Sequence, residues 1–416
     1  MQKYLPKLIH HNQSGFVKGR FIGDAVRNIQ DIMSYTNQKK LNGILLFIDF
    51  EKAFDTIELP FLMKVLNKLN FGKNFAQWIE ILYYNISSCV MNNGSTSKYF
   101  PVNRGVRQGD PLSPYLFLLV IEILAIQIRE NRDIVGFNIK GKMFKLSLYA
   151  DDMTIAVSDK KSAKRVFALL KKYANYSGLK VNVEKTEGMW LGQQKGCLDE
   201  PLGIAWPKIP IKALGIFHSY NKEKCIDSNF NDKIEKLIKQ LHWWKARNLS
   251  LSGKILIVKT LGVSKFALVA SLLHVPEKIM KIVNSIIFNF IWNGKTDKVR
   301  RKIMIQSHEK GGLKMIDFCN YVKAAKCKWV QRYLDDQVVN WKYSFEVFCK
   351  KDNLGIFLRG NFDLKELPKS LPCYYFDSIA CWHSLKLKKR EKVILFGIIK
   401  TLKLMVKQSL TLICLT

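Results

Sequence analysis

Between Leu112 and Ile128 the chain runs through Leu116, Phe117, Leu118, Leu119, Val120, Ile121, Leu124 and Ala125, apolar on nearly every side of a helical wheel. Pro111 stands just before it, where a proline suits a first turn. Such a helix has no face to offer water, so it must be covered all round by other elements of a layered domain. With 416 residues the chain has material for two or three domains with sizeable cores, without disulfide or metal staples. The run is too short to span a bilayer and carries Glu122 in its middle, and no stretch of about 20 apolar, uncharged residues is found elsewhere.

Met1–His11 lacks the apolar core and small-residue cleavage site of a secretory signal. The nine cysteines include no C-x-x-C pair and read as scattered thiols rather than a disulfide framework. Cys373, Cys381 and His383 cluster locally but lack a second ligand pair for a closed tetrahedral zinc site. A soluble, intracellular protein is expected. Its charge is the anomaly: 67 Lys and Arg against 34 Asp and Glu leave +33, which self-repels unless a polyanion neutralises it. Residues 1–220 hold 30 basic and 18 acidic side chains, residues 221–416 hold 37 and 16, so the second half is the gripping half for nucleic acid.

Gly43–Asp49 is a short apolar run closed by a carboxylate and reads as a buried strand, followed by helical spacing at Leu59, Leu62, Met63, Leu66 and Leu69. Phe144–Tyr149 and Met153–Val157 read as a hairpin whose tip holds Asp151 and Asp152. Leu169–Tyr176 ends a helix at Gly178, and short strands are expected at Lys180–Val183 and Lys212–Phe217. After a boundary near Ser219–Ser228 the pattern turns helical and lysine-rich: Phe230, Ile234, Leu237, Ile238 and Leu241 keep helical phase, and further runs follow at 253–272 and 277–292.

A lone aspartate closing a strand is more often a turn former or helix cap. Adjacent carboxylates at a tight tip differ, because like charges repel there unless a cation compensates. If the strands ending at Asp49 and at the 151–152 tip pair, their oxygens can hold one or two Mg2+ ions, with water and phosphate completing the octahedra. Two such ions about 4 Å apart serve in-line phosphoryl displacement, that is, nucleotidyl transfer.

Six blocks stand in order: Gln13-Ser14-Gly15-Phe16; Phe47-Ile48-Asp49-Phe50-Glu51-Lys52-Ala53-Phe54-Asp55; Arg104-Gly105-Val106-Arg107-Gln108-Gly109-Asp110-Pro111-Leu112-Ser113-Pro114; Tyr149-Ala150-Asp151-Asp152; Gly178 to Thr186; and Leu214-Gly215-Ile216. Together they resemble the reverse transcriptase of LINE-type (non-LTR) retrotransposons, over roughly residues 10–335. The resemblance implies an α/β (α+β) right-hand polymerase, its palm a small antiparallel sheet packed on helices, followed by a mostly helical thumb and C-terminal region. It divides the chain into partial fingers at 1–42, palm with fingers insertions at 43–218, basic thumb at 219–306, and a further region at 307–416. The activity implied is RNA-directed DNA polymerisation, with template RNA, a primer or target DNA and deoxynucleoside triphosphates as partners, two Mg2+ ions as cofactors with Mn2+ as the alternative, and nuclear work by resemblance only.

Carried over residue by residue, the resemblance makes Asp49, Asp151 and Asp152 the catalytic, metal-holding triad, and Lys185 either the proton donor to pyrophosphate or a solvated lysine. Phe54 matches a steric gate against a ribose 2′-hydroxyl, and Asp55 a capping or salt-bridging residue. Gln108 and Gly109 border the incoming nucleotide, Arg104 contacts nucleic acid or a structural carboxylate, and Arg20 meets the triphosphate, with Lys18 and Arg27 as alternatives. Tyr149 stacks on the primer or fills the underside of the sheet. Leu214 and Gly215 match the primer grip, while Trp243, Trp244, Lys245 and Arg247 suit a duplex-tracking thumb. The first block lies close to Met1, so an N-terminally truncated fragment is expected, and a catalytically incompetent relic that only binds nucleic acid is the competing reading. Val393–Thr416 carries no placeable motif.

Overall fold

Every residue from Gly43 to Ile48 is buried, which requires that the sheet be covered on both faces. The computed structural model describes residues 1–351 and 353–386, so the 393–416 tail lies outside the described residues. Helix α1 (Ile22–Lys39) precedes the strand, β1 (Gly43–Ile48). Next come α2 (Leu59–Lys68), α3 (Lys73–Tyr83), the apolar helix α4 (Ser113–Glu130), a small hairpin β2 (Phe137–Ile139) and β3 (Lys142–Phe144), the hairpin β4 (Leu146–Tyr149) and β5 (Asp152–Val157), then α5 (Lys160–Ser177) and β6 (Glu187–Leu191). The central sheet has the order β6-β1-β5-β4, antiparallel throughout.

Alternation along β1 sorts its side chains between two helical layers. Ile44, Leu46 and Ile48 join the core built with Leu116–Ile121 of α4 and Ala163, Val166 and Leu170 of α5. Leu45 points the other way, among Asn28, Ile29 and Ile32 of α1. Helix α4 is therefore enclosed, as its all-round apolarity demands. It opens at Ser113 with Pro114, not Pro111, in the first turn. Its buried Glu122 is ion-paired with Arg129, and burial pushes that carboxyl above its ordinary pKa. Lys145 Nζ donates to the carbonyls of Arg129 and Asn131 at 2.8 Å each, supplying positive charge at the end of the helix. Gly178 closes α5 at φ 81°, and a Cβ there would lie 1.9 Å from the Thr56 carbonyl oxygen.

Three local expectations need correction. Lys180–Val183 forms no strand and contributes a single bridge, Phe50 to Val181. Lys212–Phe217 is not one strand but a hairpin, β7 (Ile211–Ala213) and β8 (Ile216–His218), folded over Leu214 and Gly215 at φ 52° and 74°. Two successive positive φ values define a tight two-residue hairpin turn. Phe144 belongs to β3, separate from β4.

The described chain forms two compact units, one of residues 1–214 with 338–344, the other of the remainder from Gly215. In the first, the return segment is anchored by Trp341, whose indole donates to Asp24 Oδ1 at 2.9 Å, and by Asn340, whose amide donates to Asn12 Oδ1 at 2.8 Å.

The second unit is helical: α6 (Lys222–Lys245), α7 (Leu251–Leu272), α8 (Glu277–Ile291) and α9 (Phe318–Leu334), followed by α10 (Trp341–Cys349), whose first turn belongs to the other unit, and α11 (Cys373–Lys386). Phe230, Leu237 and Leu241 of α6 are buried as their phase predicts, but Ile238 is 49% exposed. Within this unit Phe318 packs edge-on against Phe266 at 5.2 Å. By length and composition alone α7 could cross a membrane, but it is not an uncharged stretch. It carries Lys254, Lys259 and Lys265, and it buries Val258, Val263, Phe266 and Val269 within the unit. Cys381 shares a thiol hydrogen bond with Cys327, while His383 rests against Phe362 at 5.0 Å.

Candidate active site

The register of β1 against β5 ends with Ile48 opposite Met153, so the next residue on each strand, Asp49 and Asp152, emerges at the same end of the sheet. The β4–β5 hairpin closes with Tyr149 opposite Asp152, leaving Ala150 and Asp151 as a two-residue turn. Two blocks about a hundred positions apart thus deliver three carboxylates to one sheet edge.

Asp49 is held by its backbone. Its amide donates to the Thr186 hydroxyl at 3.2 Å, and its carbonyl accepts from the Asn182 amide at 2.8 Å. The Thr186 hydroxyl donates onward to the Asn182 carbonyl at 2.7 Å. This turn also carries Lys185, which is exposed and whose amide donates to Asn182 Oδ1 at 3.3 Å. The Gly178–Thr186 block therefore brackets Asp49 and sets Lys185 beside it.

Electrostatics bear on the same place. Asp152 opens to solvent at its surface, yet the protein mass around it, then the charges of Asp151 and Asp49, push its pKa up from 3.8 to about 6. Asp151 is also raised, first by burial, then by Asp49. Among the described residues no three His, Cys, Asp or Glu side chains close on one point as a ready metal cage, so the triad is not a preassembled ligand set. The donor chemistry still fits Mg2+, which is commonly bound through one or two carboxylates with water and substrate phosphate supplying the rest. The mutual repulsion of the three carboxylates is what a cation would relieve.

Phe54 is half-buried, stacked face to face on Phe117 at 4.4 Å and touched edge-on by Phe16 at 6.4 Å. The Arg104–Pro114 block is tied to it, since Val106 N donates to the Phe54 carbonyl at 2.7 Å and Gly105 N to that of Ile57 at 2.8 Å. Gly105, at φ 90°, lies so close that a Cβ would come within 2.7 Å of the Asp55 backbone. Gln108 donates its amide to Asp55 at 3.2 Å. Asp55 thus holds Gln108, and the cap position of α2 falls to Glu58. Arg104, Gln108 and Gly109 are exposed, and Tyr149 is half-buried.

Arg20 is engaged by the backbone of its own segment. Its guanidinium donates to the carbonyls of Ile9 and His10 at 2.6 Å, Gln13 at 2.7 Å and Pro6 at 3.3 Å, so it organises the N-terminal segment. Arg27 is buried in an ion pair with Asp31 at 2.9 Å, which leaves Lys18 as the exposed cation of the three. In the second unit Trp243 is 79% exposed, and Arg247 lies over the Trp244 ring at 4.9 Å. Sequence reasoning assigned no role to Thr186, Asn182 or the Gln13 side chain, because their contacts depend on the approach of distant segments.

The reverse transcriptase (RNA-dependent DNA polymerase) family matches residues 1–218. The Transposon TX1 uncharacterized 149 kDa protein of Xenopus laevis is 28% identical over 395 residues, which is 92% of this chain and 30% of that protein. The Pol polyprotein from the type-2 retrotransposable element R2DM of Drosophila melanogaster is 24% identical over 173 residues, 42% of this chain and 16% of its own length. The chain thus spans less than a third of these relatives. Among solved structures, telomerase from Candida albicans aligns with 82% of this chain and 53% of its own at 14% identity, with a TM-score of only 0.37. With an antiparallel sheet packed on helices and a family match over more than half its length, this chain belongs to the reverse transcriptase family, and the relatives named above are proteins of a transposon and of a retrotransposable element.

Proposed function

We propose that this chain extends a DNA 3′-hydroxyl on an RNA template, using deoxynucleoside triphosphates and two divalent cations, Mg2+ with Mn2+ as the alternative. One observation carries this reading: Asp49 and the Asp151–Asp152 turn reach the same end of the sheet from separate parts of the chain. Asp49 and Asp151 would hold the ions, with Asp152 adding charge beside them. Cations bound there would supply stabilisation of the attacking and leaving oxygens during in-line displacement.

The surrounding residues divide the remaining tasks. The Phe54 ring, backed by Phe117, lies under the nucleotide sugar and excludes a 2′-hydroxyl. Gln108, oriented by Asp55, and Gly109 border the nucleotide, with Arg104 beside the nucleic acid. Lys185 Nζ gives a proton to the departing pyrophosphate. Tyr149 flanks the primer end, and the Leu214–Gly215 turn grips it. The exposed Trp243 with Lys245 and Arg247 follows the duplex backbone, where phosphate contacts dominate affinity.

The test is extension of a labelled DNA primer annealed to RNA, with purified protein, Mg2+ and all four deoxynucleotides. Template-length products support the proposal. Failure to extend under Mg2+ and Mn2+ alike, with RNA binding retained, would favour the non-catalytic binder.

A further inference from the structure

Ala150, the residue before the acidic pair, has φ 55°. A residue with a Cβ is sterically disfavoured in that left-handed region, and glycine is the usual occupant of such a turn position. Something must therefore hold the turn. The Gln13 side chain is fully buried and grips the Ala150 residue at both ends. Its Oε1 accepts from Ala150 N at 2.8 Å, and its Nε2 donates to the Ala150 carbonyl at 3.1 Å. The same Oε1 accepts from Gly15 N at 2.8 Å. Two N–H donors on one side and a carbonyl on the other admit only one orientation of the amide.

The backbone of this segment runs beside the outer edge of β4. Ser14 N donates to the Leu148 carbonyl at 2.8 Å, and Leu148 N donates to the Asn12 carbonyl at 2.9 Å. Gly15 passes so close that a Cβ would sit 2.4 Å from Ala150 N. Residues 12–15 thus form a socket for the turn.

We infer that Gln13 is a positioning residue: by clamping Ala150 in its left-handed conformation it aims Asp151 and Asp152. The inference rests on the polymerase reading for its consequence in catalysis, but not for its structural content. Glutamate at position 13 would keep acceptors for the two N–H groups and lose the donor to the Ala150 carbonyl. Glycine at position 150 would adopt φ 55° without steric cost.

The experiment compares wild type, Gln13→Ala, Gln13→Glu and the double variant Gln13→Ala/Ala150→Gly, by single-turnover primer extension and by amide hydrogen exchange of the metal-free proteins. Gln13→Ala should slow the chemical step by about tenfold or more with the KM for deoxynucleotide within about twofold, and should speed exchange at residues 148–152 while β1 stays protected. Gln13→Glu should fall between it and wild type. The double variant should regain about fivefold or more of the lost rate, which a general packing defect would not allow. If Gln13→Ala unfolds, Gln13→Glu decides alone. A folded variant with wild-type rate and exchange, or a loss that Ala150→Gly leaves unrepaired, would overturn the inference. If wild type itself does not polymerise, the functional reading fails while exchange at 148–152 still decides whether Gln13 holds the turn.

Discussion

The backbone amide of Asp49 donates to the hydroxyl of Thr186, 137 positions later in the chain, at 3.2 Å. The first carboxylate of the site is thus fixed by the loop that also presents Lys185.

Thr186→Val removes that hydroxyl with little change of shape. It strands the Asp49 amide and one bond to the Asn182 carbonyl, so we expect a loss of about 1–3 kcal/mol in stability. The chemical step should slow more than the deoxynucleotide KM rises. Thermal melting and single-turnover extension check both, with Thr186→Ser expected to recover most of the loss.

The acidic turn sets a pH dependence. Burial, Asp151 and Asp49 raise Asp152 from 3.8 to about 6 in the folded protein. The neutral form is therefore favoured on folding, so the group's contribution is complete below 3.8 and is lost as pH rises through about 6. Because this carboxyl opens to solvent, the loss in metal-free protein is discounted to about 1 kcal/mol. Asp152→Asn escapes it. The melting-temperature gain of this variant over wild type, in chelator, should widen from about pH 4 to about pH 6.5 and then level off. A gain independent of pH would contradict the coupling.

Much of this site was legible in the sequence, for identifiable reasons. The apolar run before Asp49 and the hydrophobic strands around Ala150-Asp151-Asp152 follow from local patterning, and Gly178 announced the end of its helix. What was hidden depends on long-range approach. The backbone contacts of Arg20 were hidden because nothing local shows that four carbonyls converge on it. Local pattern read 212–217 as one strand because leucine at positive φ is no turn signal, and only the resemblance to a primer grip implied the turn at Leu214–Gly215. The return of Asn340 and Trp341 to the first unit leaves no periodicity at all.

The task of Arg20 separates binding from scaffolding. Arg20→Lys keeps the charge but not the planar fork that reaches several carbonyls at once. We expect lower stability, by about 1–3 kcal/mol, with the deoxynucleotide KM unchanged in the protein that remains folded. A raised KM without a change in melting would restore the triphosphate role.

Phe54→Val shortens the ring that lies on Phe117. Ribonucleotide incorporation relative to deoxynucleotide should rise by about tenfold or more, read from competing primer extensions. An unchanged ratio would remove Phe54 from the gate.

The central claim is that carboxylates brought together from two distant blocks carry nucleotidyl transfer. Its most direct measurement is extension of a DNA primer on an RNA template by Asp151→Asn beside wild type, at matched RNA binding and melting temperature. The account predicts that the rate falls by about 10³-fold or more, since a divalent site would lose a direct ligand. Extension at near wild-type rate by Asp151→Asn would contradict it.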